Sequence, residues 1–547
     1  MKPTSSISLV VAASLTVLGG ASTPVLADDD DRSRPTVPTA VPTSGEDWFR
    51  AGKSAIEANK LGNRDVNTRR AKNVILFVGD GMGVSTVTAA RILDGQQRGV
   101  DGEWNRLSFE RFSDMALSVT ASANQQTSDS APTATAMVAG IKTNDGAISV
   151  DQSIARKEFC AEVTRAKSVK TIMERAEERG MSTGVVSTAR ITHATPAVNY
   201  AHVSNRDWEA NNTINSDLGA TVLPPGCTKV KDIAAQLVDF NVGDGIEVAL
   251  GGGRPYFEPI TKSDPEYTTR KGRRTDGRDL TAEWAAKPGA AYVWNKQKFD
   301  AIDPNKTRRL LGLFELSHVK YEADRANDTA GEPSLAEMTR KSIQMLKKNP
   351  KGFYLMVEGG RIDHAHHAGN AYRALTDTIA LAEAVKVARE MTDDEDTLIV
   401  VTADHSHTMT IAGYPSRGNP ILGKADTGLG LIGVSPVATD SLGLPYTTLG
   451  YMNGPGGWNG NGSRREFNPL TEGYTAEIPF AGKRPDLTNV DTANPNYLQE
   501  AAIPTLGAET HAGEDVAIYA NGPRSYLFRG TLEQNAIYHV MASALGL

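Results

Sequence analysis

The stretch VEGGRIDHAHHAG, residues 357–369, places Glu358, Asp363, His364, His366 and His367 at the end of an apolar run. It holds three of the chain's ten histidines, so these residues are concentrated rather than scattered. If a helix starts near Asp363, then Asp363 and His367 are i,i+4 neighbours on one face, about 6 Å apart at Cβ, and both can reach one cation. Carboxylate with neutral imidazole suits Zn²⁺. A lone Asp-x-x-x-His pair is ordinarily two surface residues. Here TADHSH (402–407) and AETHAGED (508–515) bring further ligand types, Asp404, His405 and His511. Upstream, VILFVGDG (74–81) ends in Asp80, and ITHAT (191–195) carries His193 and Thr195. Together the set argues for metal chemistry where one pair would not.

A nucleophile is offered by TSDSAPTATAMVAG (127–140). Small hydroxyl residues lead into an Ala-rich helix, and Ser130 falls beside its N-terminus, where free N–H groups and the helix dipole favour an anion. An unreactive N-cap serine would look the same in isolation. The lack of a G-x-S-x-G elbow is no objection, because a serine activated by a metal needs no His–Asp partners.

These residues must be positioned by strands and helices. Apolar runs recur at 74–81, 181–190, 245–253, 352–360 and 397–405, with helical stretches at 167–179, 334–348 and 370–391 between them. Strands alternating with helices predict an α/β fold, a mostly parallel central sheet with helices on both faces. In such sheets ligands bind beyond the carboxyl ends of the strands, where Asp80, His193, Glu358, Asp363, Asp404 and His405 fall. Carboxylates gathered there need compensation, and metal ions are the usual form of it. Two regions break this grammar. Residues 254–333, polar and Arg/Asp-rich, and residues 412–500, loop-rich in Gly, Pro and Asn, read as insertions.

Composition sets the class. The chain has 547 residues, 39% hydrophobic and 22% charged, with net charge -7 and no basic stripe along a helix, so it is globular and no nucleic-acid recognition is expected. Residues 1–27 read as a signal peptide ending at Ala27, residues 28–45 as an acidic, Pro-rich tail, and 46–62 as an isolated helix ahead of the catalytic domain at 63–547. Export to a periplasm or the medium follows, with no membrane span after cleavage. Export and an even count favour a Cys160–Cys227 disulfide over two buried thiols.

VILFVGDGMGVSTVTAARIL, SDSAPTATA, ITHATPAVNYAHVSNRDW, VEGGRIDHAHH, TADHSH and ETHAGEDVAIYANGP occur in this order. On these stretches the chain resembles the alkaline phosphatase family from about residue 45 to the end, closer to the animal type than to the enteric bacterial type. The resemblance implies two Zn²⁺ and one Mg²⁺. Asp363, His367 and His511 would hold the first zinc. Asp404, His405 and Asp80 would hold the second, which Ser130 also meets. Asp80, Thr195 and Glu358 would hold magnesium, with His193 and His364 one layer behind. Arg206 in SNRDW matches the phosphate clamp, and a planar guanidinium offers paired donors to phosphate oxygens. A phosphoserine intermediate and broad phosphate monoester specificity are implied. The enteric type carries Asp and Lys where His193 and His364 stand, so the third site should take magnesium less exclusively. A Ca²⁺ site is implied at Glu266, the Phe314 carbonyl, Glu315 and Glu332. The 412–500 insertion matches a crown domain and residues 46–62 an arm, both of which imply a homodimer. A phosphodiesterase or nucleotide pyrophosphatase would share most ligands, and an exported zinc-binding protein would need neither Ser130 nor Arg206. A sulfatase would need a C-x-P-x-R context that CAEVTR at Cys160 lacks.

Overall fold

The computed structural model describes residues 66–547, except 430–434, 457–465, 475–483 and 505–506, together with Asp47, Arg50 and Lys53. The signal peptide, the acidic tail and all but those three positions of the expected N-terminal helix lie outside the described residues.

The framework of residues 66–547 is a ten-stranded sheet. Its strands are β1 (Asn73–Gly79), β2 (Asp114–Val119), β3 (Ser182–Arg190), β4 (Val248–Gly252), β5 (Ala290–Val293), β6 (Arg309–Leu313), β7 (Phe353–Gly359), β8 (Thr397–Ala403), β9 (Val516–Asn521) and β10 (Thr531–Glu533). Their order is β10-β2-β9-β8-β1-β7-β3-β4-β6-β5. Every pairing is parallel except those of β9, which runs antiparallel to both β8 and β2. All seven residues of β1, NVILFVG, are buried. Val74, Leu76 and Val78 face a core shared with Ala131, Met137 and Ile172, while Ile75 and Phe77 face a second core shared with Val87, Leu335 and Leu375. A strand covered on both sides has no polar face to show, which is why it reads as a continuous apolar run.

The expected strands and the helices at 334–348 and 370–391 are present, the helices as Leu335–Leu346 and Ala371–Met391. The stretch 167–179 holds a shorter helix, Ile172–Glu178, and a separate helix, Ala161–Lys167, precedes it. One expectation is corrected. The region 254–333 is not wholly an insertion, because β5 and β6 inside it form the outer edge of the main sheet. They are four and five residues long, too short to stand out from the charged sequence around them. The 412–500 segment contributes Leu449–Gly454, which pairs with Met409–Ile411 and Ala501–Pro504 in a separate three-stranded sheet. Cys160 and Cys227 form a disulfide, closing a loop over a sequence separation of 67 residues. In the chain-entropy account that closure contributes about 4 kcal/mol.

At the opposite ends of the strands, Glu177 and Glu247 are buried together. Glu177 Oε1 accepts from the Thr183 hydroxyl at 2.6 Å, and Glu247 Oε2 accepts from the Thr183 N–H at 2.7 Å. Burial, followed by the charge of Glu177, pushes the Glu247 carboxyl up to about 8, with Asp244 adding and Arg309 opposing. Burial likewise pushes Glu177 up to about 7. Raised carboxyl pKa values mean that the folded state binds more protons than the unfolded chain, so their contribution is lost as pH rises from about 4.5 toward 8. Glu247→Gln should therefore flatten the decline of melting temperature between about pH 5 and pH 9. Parallel pH–melting curves for the two proteins would show that this group does not titrate in that window.

Candidate active site

Register brings the chemistry together. Gly79 of β1 lies level with Gly359 of β7 and Ala403 of β8, so the residues that follow, Asp80 and Asp404, leave the sheet at one height beside Glu358. Ser187 of β3 pairs with Glu358, extending the line. Gly81 then turns with φ 70°, and its N–H donates to Asp404 Oδ1 at 3.0 Å. A Cβ at Gly81 would lie 2.3 Å from the His407 ring, so the turn has room only for glycine.

The helix expected near Asp363 spans Arg361–His367. Asp363 Oδ1 lies 3.2 Å from His367 Nε2, 3.4 Å from His511 Nε2 and 2.7 Å from His407 Nε2. These four residues form one group whose ligand atoms could hold a metal. Burial alone would raise the Asp363 carboxyl, but His367, His407 and His511 hold it well below the usual range. His407 was not singled out from the sequence. Its signal was the second histidine of TADHSH. Glu509 Oε2 meets His407 Nδ1, and Glu509 Oε1 accepts from Thr408 N–H and Oγ1 at 2.7 and 2.6 Å. Burial lowers His407, yet Glu509 and Asp363 carry it to about 10.

Asp80, Asp404 and His405 meet next to the serine. His405 Nε2 is 3.4 Å from Asp80 Oδ1, 3.4 Å from Asp404 Oδ2 and 3.1 Å from Ser130 Oγ. Ser130 Oγ is 3.5 Å from Asp80 Oδ1. The His405 and His511 rings stack at 3.6 Å, joining this group to the Asp363 group. Asp80, His193 and Glu358 form a third group. A ring nitrogen of His193 lies within 4.8 Å of a carboxylate oxygen of Asp80 and of Glu358, and its Nε2 receives Arg206 Nη2 at 3.0 Å. His364 Nδ1 lies 3.3 Å from Arg361 Nη1, and its ring lies 5.5 Å from that of His193. His318, not foreseen, packs 4.0 Å from the His364 ring.

The donors fit cations. Asp80 Oδ2, Thr195 Oγ1, Glu358 Oε1 and Asp404 Oδ2 are buried without hydrogen-bond partners. Burial, and then the charges of Asp404, Asp363 and Glu358, push Asp80 well above its ordinary range, and burial pushes Glu358 to about 8. Carboxylates gathered this closely, three of them with an oxygen that no hydrogen bond satisfies, are stable as anions only around positive charge.

Ser130 opens the helix Ser130–Ala139, and Asp129 is its N-cap, accepting from the Ala131 N–H at 3.3 Å. Asp129 also binds Arg206 Nη1. One carboxylate therefore sets both the helix start that aims the serine and the guanidinium beside it. Burial opposes the Arg206 charge, but Asp129, Asp80 and Asp363 hold it firmly protonated. An open cleft lined by Gln125, Thr127, Ser128, Asp129, Thr510 and His511 leads to this point.

Away from the cleft, Glu266, Phe314, Glu315 and Glu332 share one neighbourhood. Arg254 donates to Glu266 Oε2 and to the Phe314 carbonyl, both at 2.7 Å, and Lys320 Nζ lies 2.9 Å from Glu315 Oε1. Glu332 Oε2 and Asp328 Oδ2 are buried without partners, and Asp328 is a fifth oxygen donor that the sequence did not mark out.

The family model described as alkaline phosphatase matches residues 71–547. The chain is 45% identical over 486 residues to the tissue-nonspecific isozyme of alkaline phosphatase from Gallus gallus, covering 88% of this chain and 85% of that protein. It is 43% identical to the human tissue-nonspecific isozyme over 499 residues, covering 90% and 86%. The fold is also that of Thermus thermophilus alkaline phosphatase, with TM-score 0.59 at 23% identity over 93% of this chain and 96% of that one.

Because Glu509 orients His407 against Asp363, Glu509→Gln should leave the fold intact and weaken metal retention by roughly 10- to 100-fold. Competition with a chelator measures this, and unchanged retention would remove Glu509 from the support of the site.

Proposed function

The chain belongs to the alkaline phosphatase family and hydrolyses phosphate monoesters to alcohol and inorganic phosphate; we propose that it does so through a phosphate ester on Ser130, with Arg206 as phosphate clamp. The observation that carries this is Ser130 Oγ at a helix N-terminus, 3.1 Å from His405 Nε2, with Arg206 held alongside by Asp129. Asp363, His367 and His511, supported by His407, would hold one zinc. Asp80, Asp404 and His405, with Ser130, would hold a second. Asp80, Thr195 and Glu358 offer oxygens suited to magnesium, and His193 adds an imidazole that zinc accepts more readily. Bound there, the cations supply Lewis acidity, lowering the pKa of the serine hydroxyl and balancing charge on phosphoryl oxygens.

The chain's own groups then act in sequence. The donors of Arg206 not engaged by Asp129 and His193 hold nonbridging oxygens, and the N–H groups opening the Ser130 helix add to them. Ser130 Oγ attacks phosphorus, the ester P–O bond breaks, and the alcohol departs with the serine's proton. Water attacks phosphorus from the vacated side, releasing phosphate and restoring the Ser130 hydroxyl. The cleft is lined by small polar side chains beside Asp129 and His511, which supports a broad range of leaving groups.

Three finer points are part of this reading. Tyr414, Leu429 and Leu470 on the 412–500 segment are 89%, 87% and 93% exposed, which supports a homodimer formed through that insertion. The disulfide supports export to an oxidising compartment. The unpartnered oxygens of Glu332 and Asp328 support a calcium ion beside Glu266, Glu315 and the Phe314 carbonyl.

Ser130→Ala should keep its metals by elemental analysis while losing roughly 10³-fold or more in turnover of an aryl phosphate. Near-normal turnover would end the covalent mechanism. Arg206→Ala should weaken inhibition by phosphate by about 1.5–3 kcal/mol, the range for hydrogen bonds to charged groups. An unaltered inhibition constant would count against the clamp.

A further inference from the structure

His366 stands among the metal-binding residue types of the 357–369 stretch, yet the reaction makes no use of it. It is fully buried. Its Nε2 lies 3.0 Å from Thr86 Oγ1 and its Nδ1 2.8 Å from the Tyr451 hydroxyl. A hydroxyl both donates and accepts, so either neutral tautomer is satisfied at both nitrogens. With its one N–H and its one lone pair engaged, the ring has nothing left to give a cation. Its use must lie in what it connects.

The connected segments are distant in sequence. Thr86 belongs to the helix Val84–Gln97, which follows Asp80 and the Gly81 turn. Tyr451 belongs to the strand Leu449–Gly454, where it pairs with Met409, two residues beyond His407. The next residue, Met452, donates its N–H to the Thr408 carbonyl at 3.1 Å. Further along the same strand, Asn453 Nδ2 donates to Thr510 Oγ1 at 2.8 Å, and Asn453 Oδ1 accepts from the Thr510 N–H at 3.0 Å, beside His511. One strand therefore meets every segment that supplies the group of Asp363, His367, His407 and His511.

The helix Arg361–His367 needs such support. It has seven residues and no side-chain cap at its N-terminus. A helix so short is not held by its own hydrogen bonds, and what its side chains meet sets its place. The His366 ring stacks on that of His407, with centroids 4.8 Å apart and planes 28° apart, and His407 Nε2 lies 2.7 Å from Asp363 Oδ1. A shift of His366 would move both the helix carrying Asp363 and His367 and the ring set against Asp363. The neighbouring group is built differently. Asp80 and Asp404 follow directly on the paired strands β1 and β8, so the sheet itself fixes them.

We propose that His366, pinned between Thr86 and Tyr451, is a positioning residue that holds the Asp363 group in register for its cation. The role rests on the reading that Asp363, His367 and His511 hold a metal. It assigns the strand Leu449–Gly454 to the upkeep of one metal group and not of the other.

The test uses the zinc-loaded holoenzyme, dialysed against graded chelator, with the occupancy of each group read by anomalous diffraction at the zinc edge. Tyr451→Phe and Thr86→Val each remove one hydroxyl and keep the shape of the side chain. Both should empty the Asp363 group at about 10-fold lower chelator strength, the lower end of the range for residues behind metal ligands, while the Asp404 group moves less than about twofold. Thr86→Ser, which keeps the hydroxyl, should retain the metal. Leu237→Ala, in the buried helix Ile233–Asp239 and in contact with none of these residues, serves as a control that lowers the melting temperature without changing the ratio of the two occupancies. Equal loss from both groups, full retention in Tyr451→Phe and Thr86→Val, or a Leu237→Ala protein with the same selective loss would overturn the role. An unaltered chain with no metal at Asp363, His367 and His511 would remove the metal assignment itself and the positioning role with it, so the two failures are distinguishable.

Discussion

Four buried carboxylates meeting at one point govern this structure. Asp80, Glu358, Asp363 and Asp404 are at most 4% exposed, and ionised groups in such a place cost several kcal/mol each unless matched by positive charge. The chain supplies little of it. Histidines surround Asp363 and pull its pKa down, whereas Asp80, Asp404 and Glu358 are pushed up by burial and by neighbouring carboxylates, Asp363 among them. That asymmetry divides the site. Around Asp363 the imidazole-rich donor set suits zinc, and around Glu358 oxygens left without partners suit a harder ion.

The fold exists to hold that conflict still. A parallel sheet ends its strands on one side, and the common register of β1, β7 and β8 puts Asp80, Glu358 and Asp404 at one level. The strands can do this because both faces are sealed by separate apolar cores, so the backbone beneath the acids has no cheap way to shift. Outside the sheet, Asp129 and Glu509 play matching parts. Each is a carboxylate that does not face the acid cluster but fixes a cationic or imidazole group that does, Arg206 in one case and His407 in the other.

Three guanidinium–imidazole contacts extend this order outward: Arg206 with His193, Arg361 with His364, and Arg190 with His318. A guanidinium only donates, so His193 is held as an acceptor at Nε2 and His364 at Nδ1, while His318 accepts from the Arg190 backbone N–H at Nδ1. Burial and the neighbouring arginines lower all three histidines accordingly. The wall beside Glu358 is thus uncharged imidazole backed by positive charge, a setting that favours anionic phosphate without adding an acid to compete for the metal.

The sequence by itself determined the chemistry and the kind of fold. Apolar runs closed by Gly-Asp or Asp-His announced strands buried on both faces, and Asp-x-x-x-His announced a carboxylate and an imidazole on one helical face. Both signals are local, because strand and helix periods fix where neighbouring side chains go. Only the tertiary structure decided the partnerships that join distant segments. Glu509 finds His407 across 102 residues, Asp129 finds Arg206 across 77, and His318 reaches His193 from a loop after β6. None of these pairs has a spacing that local geometry could read. The membership of β5 and β6 in the main sheet was hidden for the same reason, since a short edge strand is defined by the neighbour that offers it hydrogen bonds and not by its own pattern.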